Sequence, residues 1–140
     1  MRPGEPFLLG VDLIKDPGTL VAAYNDAAGV TAEFNRNILH AVNRLLGADF
    51  DPSLFRHHAP WNVERHRIEM WLVAAAAMRV ELAAVGGALD LAAGEAILTE
   101  ISTKYDEALA RGLLEAAGFR LERWFAGADA LFGLALARRR

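Results

Sequence analysis

His66-Arg67-Ile68-Glu69-Met70-Trp71-Leu72-Val73 alternates along its whole length. His66, Ile68, Met70 and Leu72 fall on one side, and Arg67, Glu69, Trp71 and Val73 on the other. A period of two belongs to a strand, not a helix. Downstream, Met78–Leu82 and Ala88–Leu91 read as shorter strands around the turn signal Gly86-Gly87, and Ala96–Ser102 as another strand after Gly94.

Upstream of Asp51-Pro52 the pattern is helical. Asp16 can cap free backbone N–H groups, and Pro17 suits a first helical position. Leu20, Val21 and Tyr24 follow, with Gly29 the expected stop. Thr31 is expected to cap a longer helix to about Leu46, ended by Gly47. Phe34, Ile38, Ala41, Val42 and Leu45 form its expected inward face. Glu33, Arg36, His40, Asn43 and Arg44 lie elsewhere on it.

At the two ends, Phe7–Val11 reads as a buried strand that needs neighbours on both edges. Asp106 is expected to cap a third helix, with Leu109, Leu113 and Leu114 inward and Gly118 at its end. Phe119–Phe125 and Leu131–Ala137 read as a final antiparallel pair across the short loop Ala126–Ala130. Arg138-Arg139-Arg140 reads as a solvated basic tail. The expected fold is α+β, with three main helices and about six to eight strands.

Composition narrows the class. The 140 residues are enough for one ordinary domain with a real core. With 54% hydrophobic and 24% charged residues, the chain is of globular type. The net charge of -3 argues against a nucleic-acid binder. No cysteine is present, which removes disulfides and thiolate metal sites and fits a reducing cytoplasm. The apolar run Phe7–Val11 is far too short for a signal segment or a membrane span.

Thr99-Glu100-Ile101-Ser102 is the local stretch richest in chemistry. In a strand, Glu100 and Ser102 share one face. A carboxylate beside a hydroxyl can grip a ring bearing two polar nitrogens. Met70, on another strand, can supply a soft wall against a flat ring. The plainer account is a strand with polar residues on its wet face. Tyr24-Asn25-Asp26 puts a phenol and an amide at a helix end, fit either for an amino-acid head group or for capping. His40, His57, His58 and His66 match no metal-ligand spacing. No phosphate-binding glycine loop and no nucleophile elbow occurs. Trp61, Trp71 and Trp124 read as packing residues.

The order of segments resembles one family. Phe7-Leu8-Leu9-Gly10-Val11-Asp12-Leu13-Ile14-Lys15-Asp16-Pro17 is similar to a long motif of the histidine-specific, S-adenosylmethionine-dependent methyltransferases of ergothioneine biosynthesis. Leu20–Asn35, which contains Ala23-Tyr24-Asn25-Asp26-Ala27 and Gly29-Val30-Thr31-Ala32-Glu33-Phe34-Asn35, resembles a second. Asn37, Ala48-Asp49-Phe50, Ile68-Glu69-Met70 and Thr99–Tyr105 continue in register. The match runs nearly end to end and is weakest between Ala74 and Ala93.

The resemblance implies an enzyme that methylates the α-amino group of histidine three times. It implies a Rossmann-like core with an inserted α+β substrate-recognition domain. By motif, Met70, Glu100 and Ser102 correspond to the imidazole-binding residues. Tyr24 corresponds to a tyrosine near the substrate carboxylate, and Thr31 to a threonine near the same pocket. In that family the cofactor loop, an acidic ribose-binding strand end, an asparagine on the substrate amine and further tyrosines precede the segment seen here. The chain is therefore expected to be a carboxy-terminal portion without the S-adenosylmethionine site, and inactive alone. Its expected layout is residues 1–16 as a core strand, 17–104 as the substrate-recognition domain, and 105–140 as a core helix with the last strand pair. Expected partners are histidine or a similar amino acid, and either a second copy or the amino-terminal half. The alternative is a binding or assembly module without catalysis. No general base is assigned, and no nucleic-acid or membrane partner is expected.

Overall fold

The computed structural model describes residues 1–140. In chain order the first elements are β1 (Pro6–Asp12), α1 (Pro17–Tyr24), α2 (Val30–Leu46), β2 (Phe55–His58), β3 (Trp61–Asn62) and β4 (Arg67–Ala74). Then come β5 (Met78–Leu82), β6 (Gly87–Leu91), β7 (Ala96–Thr103), α3 (Glu107–Ala116), β8 (Phe119–Ala126) and β9 (Phe132–Arg139). The class is α+β with antiparallel sheets, and the helix count matches the sequence reading. The strands number nine because β2 and β3 escaped it. The chain divides into two compact units.

One unit comprises Met1–Pro17, Val63–Arg67 and Thr103–Arg140. Its sheet runs β1–β9–β8, with Leu8 opposite Leu136 and Phe125 opposite Leu134. One face packs Phe7, Leu9, Leu121, Trp124, Ala135 and Ala137 with Leu114 of α3. Gly133 has no substitute here: a Cβ would stand 2.5 Å from the Trp124 ring. The other face leaves Leu8, Phe125 and Phe132 exposed. β1 therefore alternates, where the sequence suggested burial on both sides, and it pairs along one edge only, with β9. At its end, the fully buried Lys104 places Nζ 2.8 Å from Asp12 Oδ2. Lys15 Nζ donates to Asp12 Oδ1 and to the Leu131 carbonyl.

Three expectations about this unit are corrected. Asp106 does cap α3, accepting from the Leu109 N–H, but the buried residues are Ala110 and Leu114. Leu109 and Leu113 are exposed. The terminal arginines are not a free tail. Arg138 bonds Glu122, and Arg139 donates to the Ala117 carbonyl and lies over the Phe119 ring. His66, expected to open a strand, has φ 47°, and the strand starts at Arg67.

The other unit comprises Gly18–Asn62 and Ile68–Ser102. β4 is its spine: β2 and β3 pair with it, and so does β7. The predicted alternation holds, with Ile68, Met70, Leu72 and Ala74 all buried. Leu72 joins Leu39, Phe50, Phe55, Val80 and Leu91 in one core. Ile68 and Met70 join Leu20 and Ala59 in another, flanked by Val21, Tyr24 and Trp61. Burying a side chain such as Phe55 contributes about 1.5–3 kcal/mol.

α2 is rotated from its expected setting. Phe34, Ile38 and Leu45 are exposed, and Asn35 and Leu39 are buried. The reason is hydrogen bonding. Asn43 exchanges two bonds with the backbone of Phe50, and Asn35 is fully engaged inside. A satisfied amide is as much at home in the interior as a methyl group. The helix ends also differ from expectation. α1 stops at Tyr24, and Gly29 (φ 73°) is the residue before α2. Thr31 is not the cap: the Asp26 carboxylate accepts from the N–H groups of Val30 and Thr31. No helix is long and apolar enough to cross a membrane.

Candidate functional site

The second unit brings most of the candidate residues into one neighbourhood. α1 ends at Tyr24, and Asn25 then locks the chain to Ala59. Its amide donates to the Ala59 carbonyl (2.9 Å), and its Oδ1 accepts from the Ala59 N–H (3.2 Å). Thus clamped, the Tyr24 hydroxyl meets Ser102 Oγ at 2.8 Å, across 78 residues of sequence. Met70 packs in the same cluster as Tyr24 and is 1% exposed.

On β7, Thr99 and Ser102 are half-buried, and Glu100 and Ile101 between them are exposed. Glu100 is exposed and borders a cleft of about 190 Å³. Phe34, Ile38 and Ala41 of α2 supply its apolar wall, with Asn35, Asn37 and Thr99 beside them. Pockets for drug-sized ligands run to roughly 300–1,000 Å³. This cleft suits one small ring or side chain. Thr31 lies in the first turn of α2 against Asp26. Bonds from the Thr31 side chain and from the Thr31 and Val30 N–H groups lower the Asp26 pKa to about 2.

Sequence reading overlooked what lies behind this surface. Asn35 Nδ2 donates to His57 Nδ1 (2.9 Å) and to the Trp71 carbonyl (3.2 Å). The Thr99 hydroxyl lies 2.5 Å from Asn35 Oδ1 and 2.8 Å from the Met70 carbonyl. His57 Nε2 lies 2.8 Å from the Tyr24 carbonyl. The signal available in advance was a polar residue, Asn35, one step round the helix from the apolar stripe.

No three His, Cys, Asp or Glu side chains come together in a way that could hold a metal ion. Nucleotide-type cofactors have a recurring cradle. That chemistry calls for a strand, a glycine-rich turn and a helix whose N-terminus faces phosphate or ribose. Here β1 enters α1 through Leu13–Asp16, and the glycine before α2 follows a helix, not a strand. Of the candidate residues only Glu100 lines the small apolar cleft, while the Tyr24–Ser102 pair and the buried Met70 do not.

The family model described as histidine-specific methyltransferase, SAM-dependent, matches residues 1–139, and the chain belongs to that family. It is 51% identical over 139 residues to a histidine N-alpha-methyltransferase of Mycolicibacterium smegmatis, a match covering 99% of this chain and 43% of the relative. It is 49% identical over 137 residues to a histidine N-alpha-methyltransferase of Mycobacterium tuberculosis, covering 98% and 43%. A 47-residue stretch is 42% identical to ergothioneine biosynthesis protein 1 of Neurospora crassa, 34% of this chain and 5% of that protein. The chain thus spans less than half the length of the two bacterial relatives.

Proposed function

We propose that this chain is the substrate-recognising, carboxy-terminal portion of an S-adenosylmethionine-dependent methyltransferase acting on the α-amino group of histidine. Glu100 and Ser102 take the two imidazole nitrogens, Met70 backs the ring, and Tyr24 serves the amino-acid end with Thr31 nearby. The supporting observation is the Tyr24–Ser102 hydrogen bond, which joins two residues picked out by separate motifs. Methyl transfer to an amine needs the nitrogen unprotonated and held in line with the sulfonium. These residues hold the substrate. The cofactor and the positioning of the amine fall to residues outside this set, so the chain alone binds without turning over.

Calorimetric titration tests this reading. Histidine is expected to bind, and S-adenosylmethionine is not. Glu100→Ala should weaken histidine by about 5- to 150-fold, the worth of one charged hydrogen bond of about 1–3 kcal/mol. A wild-type chain that ignores histidine defeats the reading, as does a Glu100→Ala variant that binds normally.

A second reading rests on the first unit. The outer edge of β1 and the exposed face bearing Leu8 and Phe132 are suited to another polypeptide, either a second copy or the amino-terminal part of such an enzyme. In that case association, not recognition of an amino acid, is what this chain contributes. Sedimentation that shows a monomer at all concentrations would exclude the second copy.

A further inference from the structure

We infer that His57 is a positioning residue for the Tyr24–Ser102 pair, acting as a neutral imidazole with its proton on Nε2. Where its ligand is concerned, the inference rests on the function proposed above.

The tautomer follows from what each partner can do. The Tyr24 carbonyl only accepts, so the His57 nitrogen 2.8 Å away must carry a proton. Asn35 Nδ2 only donates, so His57 Nδ1 must be bare. Reversing the amide would set its oxygen against the Trp71 carbonyl oxygen, 3.2 Å away. Asn35 is 3% exposed, so this orientation is set away from bulk water.

The consequence is two runs of hydrogen bonds joined through the covalent frame of Tyr24. The first joins Ser102 to the Tyr24 hydroxyl. The second passes from the Tyr24 carbonyl to His57, and from His57 to Asn35. The Thr99 hydroxyl then lies between Asn35 Oδ1 and the Met70 carbonyl, with its one proton shared between the two acceptors. Thr99 is also the residue before Glu100 on β7. One imidazole thus links the end of α1, the buried turn of α2 and the strands that carry Met70, Glu100 and Ser102. Tyr24 is the last residue of α1, where no further helical turn holds its carbonyl. The His57 N–H supplies that restraint from β2.

Two variants and one spectrum test this. His57→Leu removes both ring bonds and keeps an apolar body. His57→Gln keeps an N–H that can reach the Tyr24 carbonyl. The 15N spectrum of the wild-type imidazoles should show His57 protonated at Nε2 alone. Histidine affinity should fall about tenfold in His57→Leu and return to within about threefold in His57→Gln, with both variants unfolding cooperatively. A general packing role would not separate the two variants in this way. A His57 proton on Nδ1, or equal histidine affinity in all three proteins, overturns the inference while leaving histidine recognition intact. A wild-type chain that binds no histidine overturns the proposed function, and with it the positioning role. If His57→Leu fails to fold, the tautomer and the His57→Gln affinity still decide: a wrong tautomer, or a Gln variant more than about tenfold weaker, rejects the inference.

Discussion

The two units use polar groups in opposite ways. In the unit built on β4, a buried amide is bonded to a half-buried imidazole and a half-buried hydroxyl. Its helix α2 leaves Phe34, Ile38 and Leu45 outside. In the unit built on β1, β8 and β9, one sheet face is covered by α3 and is almost wholly apolar, and the other stays bare. The lesson is that burial here follows satisfied bonding as closely as hydropathy. The unit built on β4 is held in register by directional bonds. The unit built on β1 leans on packing at one face and on a charged cluster at Asp12.

The largest effect should come from the apolar core that both descriptions share. Phe55 is 1% exposed and touches the Phe50 ring. Phe55→Ala should cost about 3–5 kcal/mol, a transfer term plus a cavity. Chemical denaturation measures it. A loss below about 1 kcal/mol would mean that the polar lattice, not this core, carries the unit.

Next in size is a pair of neighbours on one helix turn. Asn35→Ala removes a buried amide and takes the donor from His57 Nδ1, at about 1–3 kcal/mol for a group left without its bond. Phe34→Ser, one residue earlier and 64% exposed, should stay within about 0.5 kcal/mol. A hydropathy reading of α2 predicts the reverse order. The two melting curves decide between them.

That reversal also shows what the sequence could disclose. β4 was legible because its inward residues are all aliphatic or Met, so hydropathy and burial coincide from Ile68 to Ala74. The cap at Asp106 and the turn at Gly118 were legible because capping is local chemistry. α2 was misread because Asn35 and Asn43 count as polar in any periodicity, while their bonds lie far away in sequence. β2 and β3 were missed because Phe55-Arg56-His57-His58 and Trp61-Asn62 are too short and too mixed to stand out. For the site, the residue types of Tyr24, Met70, Glu100 and Ser102 were visible. The meeting of Tyr24 with Ser102 was not, since nothing local encodes a contact 78 residues apart. His57 looked like one of four unrelated histidines because its two partners, Tyr24 and Asn35, stand on helices 33 and 22 residues away.

The charged cluster gives a pH signature confined to the other unit. Burial tends to raise the Asp12 pKa, but the hydrogen bonds and charges of Lys104 and Lys15 outweigh it and leave the carboxyl below its ordinary value. A depressed carboxyl pKa means that the folded state holds fewer protons than the unfolded one in this range. Its stabilisation is therefore complete above the unfolded value of about 3.9 and is lost as pH falls through the folded one. Asp12→Asn should cost about 1–2 kcal/mol at neutral pH, less than for a fully buried pair because Asp12 is 41% exposed. It should also flatten the stability profile below pH of about 4. An unchanged acid slope in the variant would place the acid sensitivity elsewhere.

The smallest effect on folding should come from the bare sheet face, and it is the most telling for how the two units differ. Phe132 is 61% exposed and sits opposite Asp12 in the β1–β9 register, with Leu8 further along the same face. Removing its ring takes away little that the chain itself covers. Phe132→Ser should therefore change stability by no more than about 0.5 kcal/mol. If that face meets another polypeptide, the same change should weaken association strongly, since an apolar patch loses its largest member. Denaturation and sedimentation on one variant separate the two quantities. A large loss of stability without a change in association would mean that Phe132 belongs to the interior of its own unit, and the contrast between a closed and an open unit would not hold.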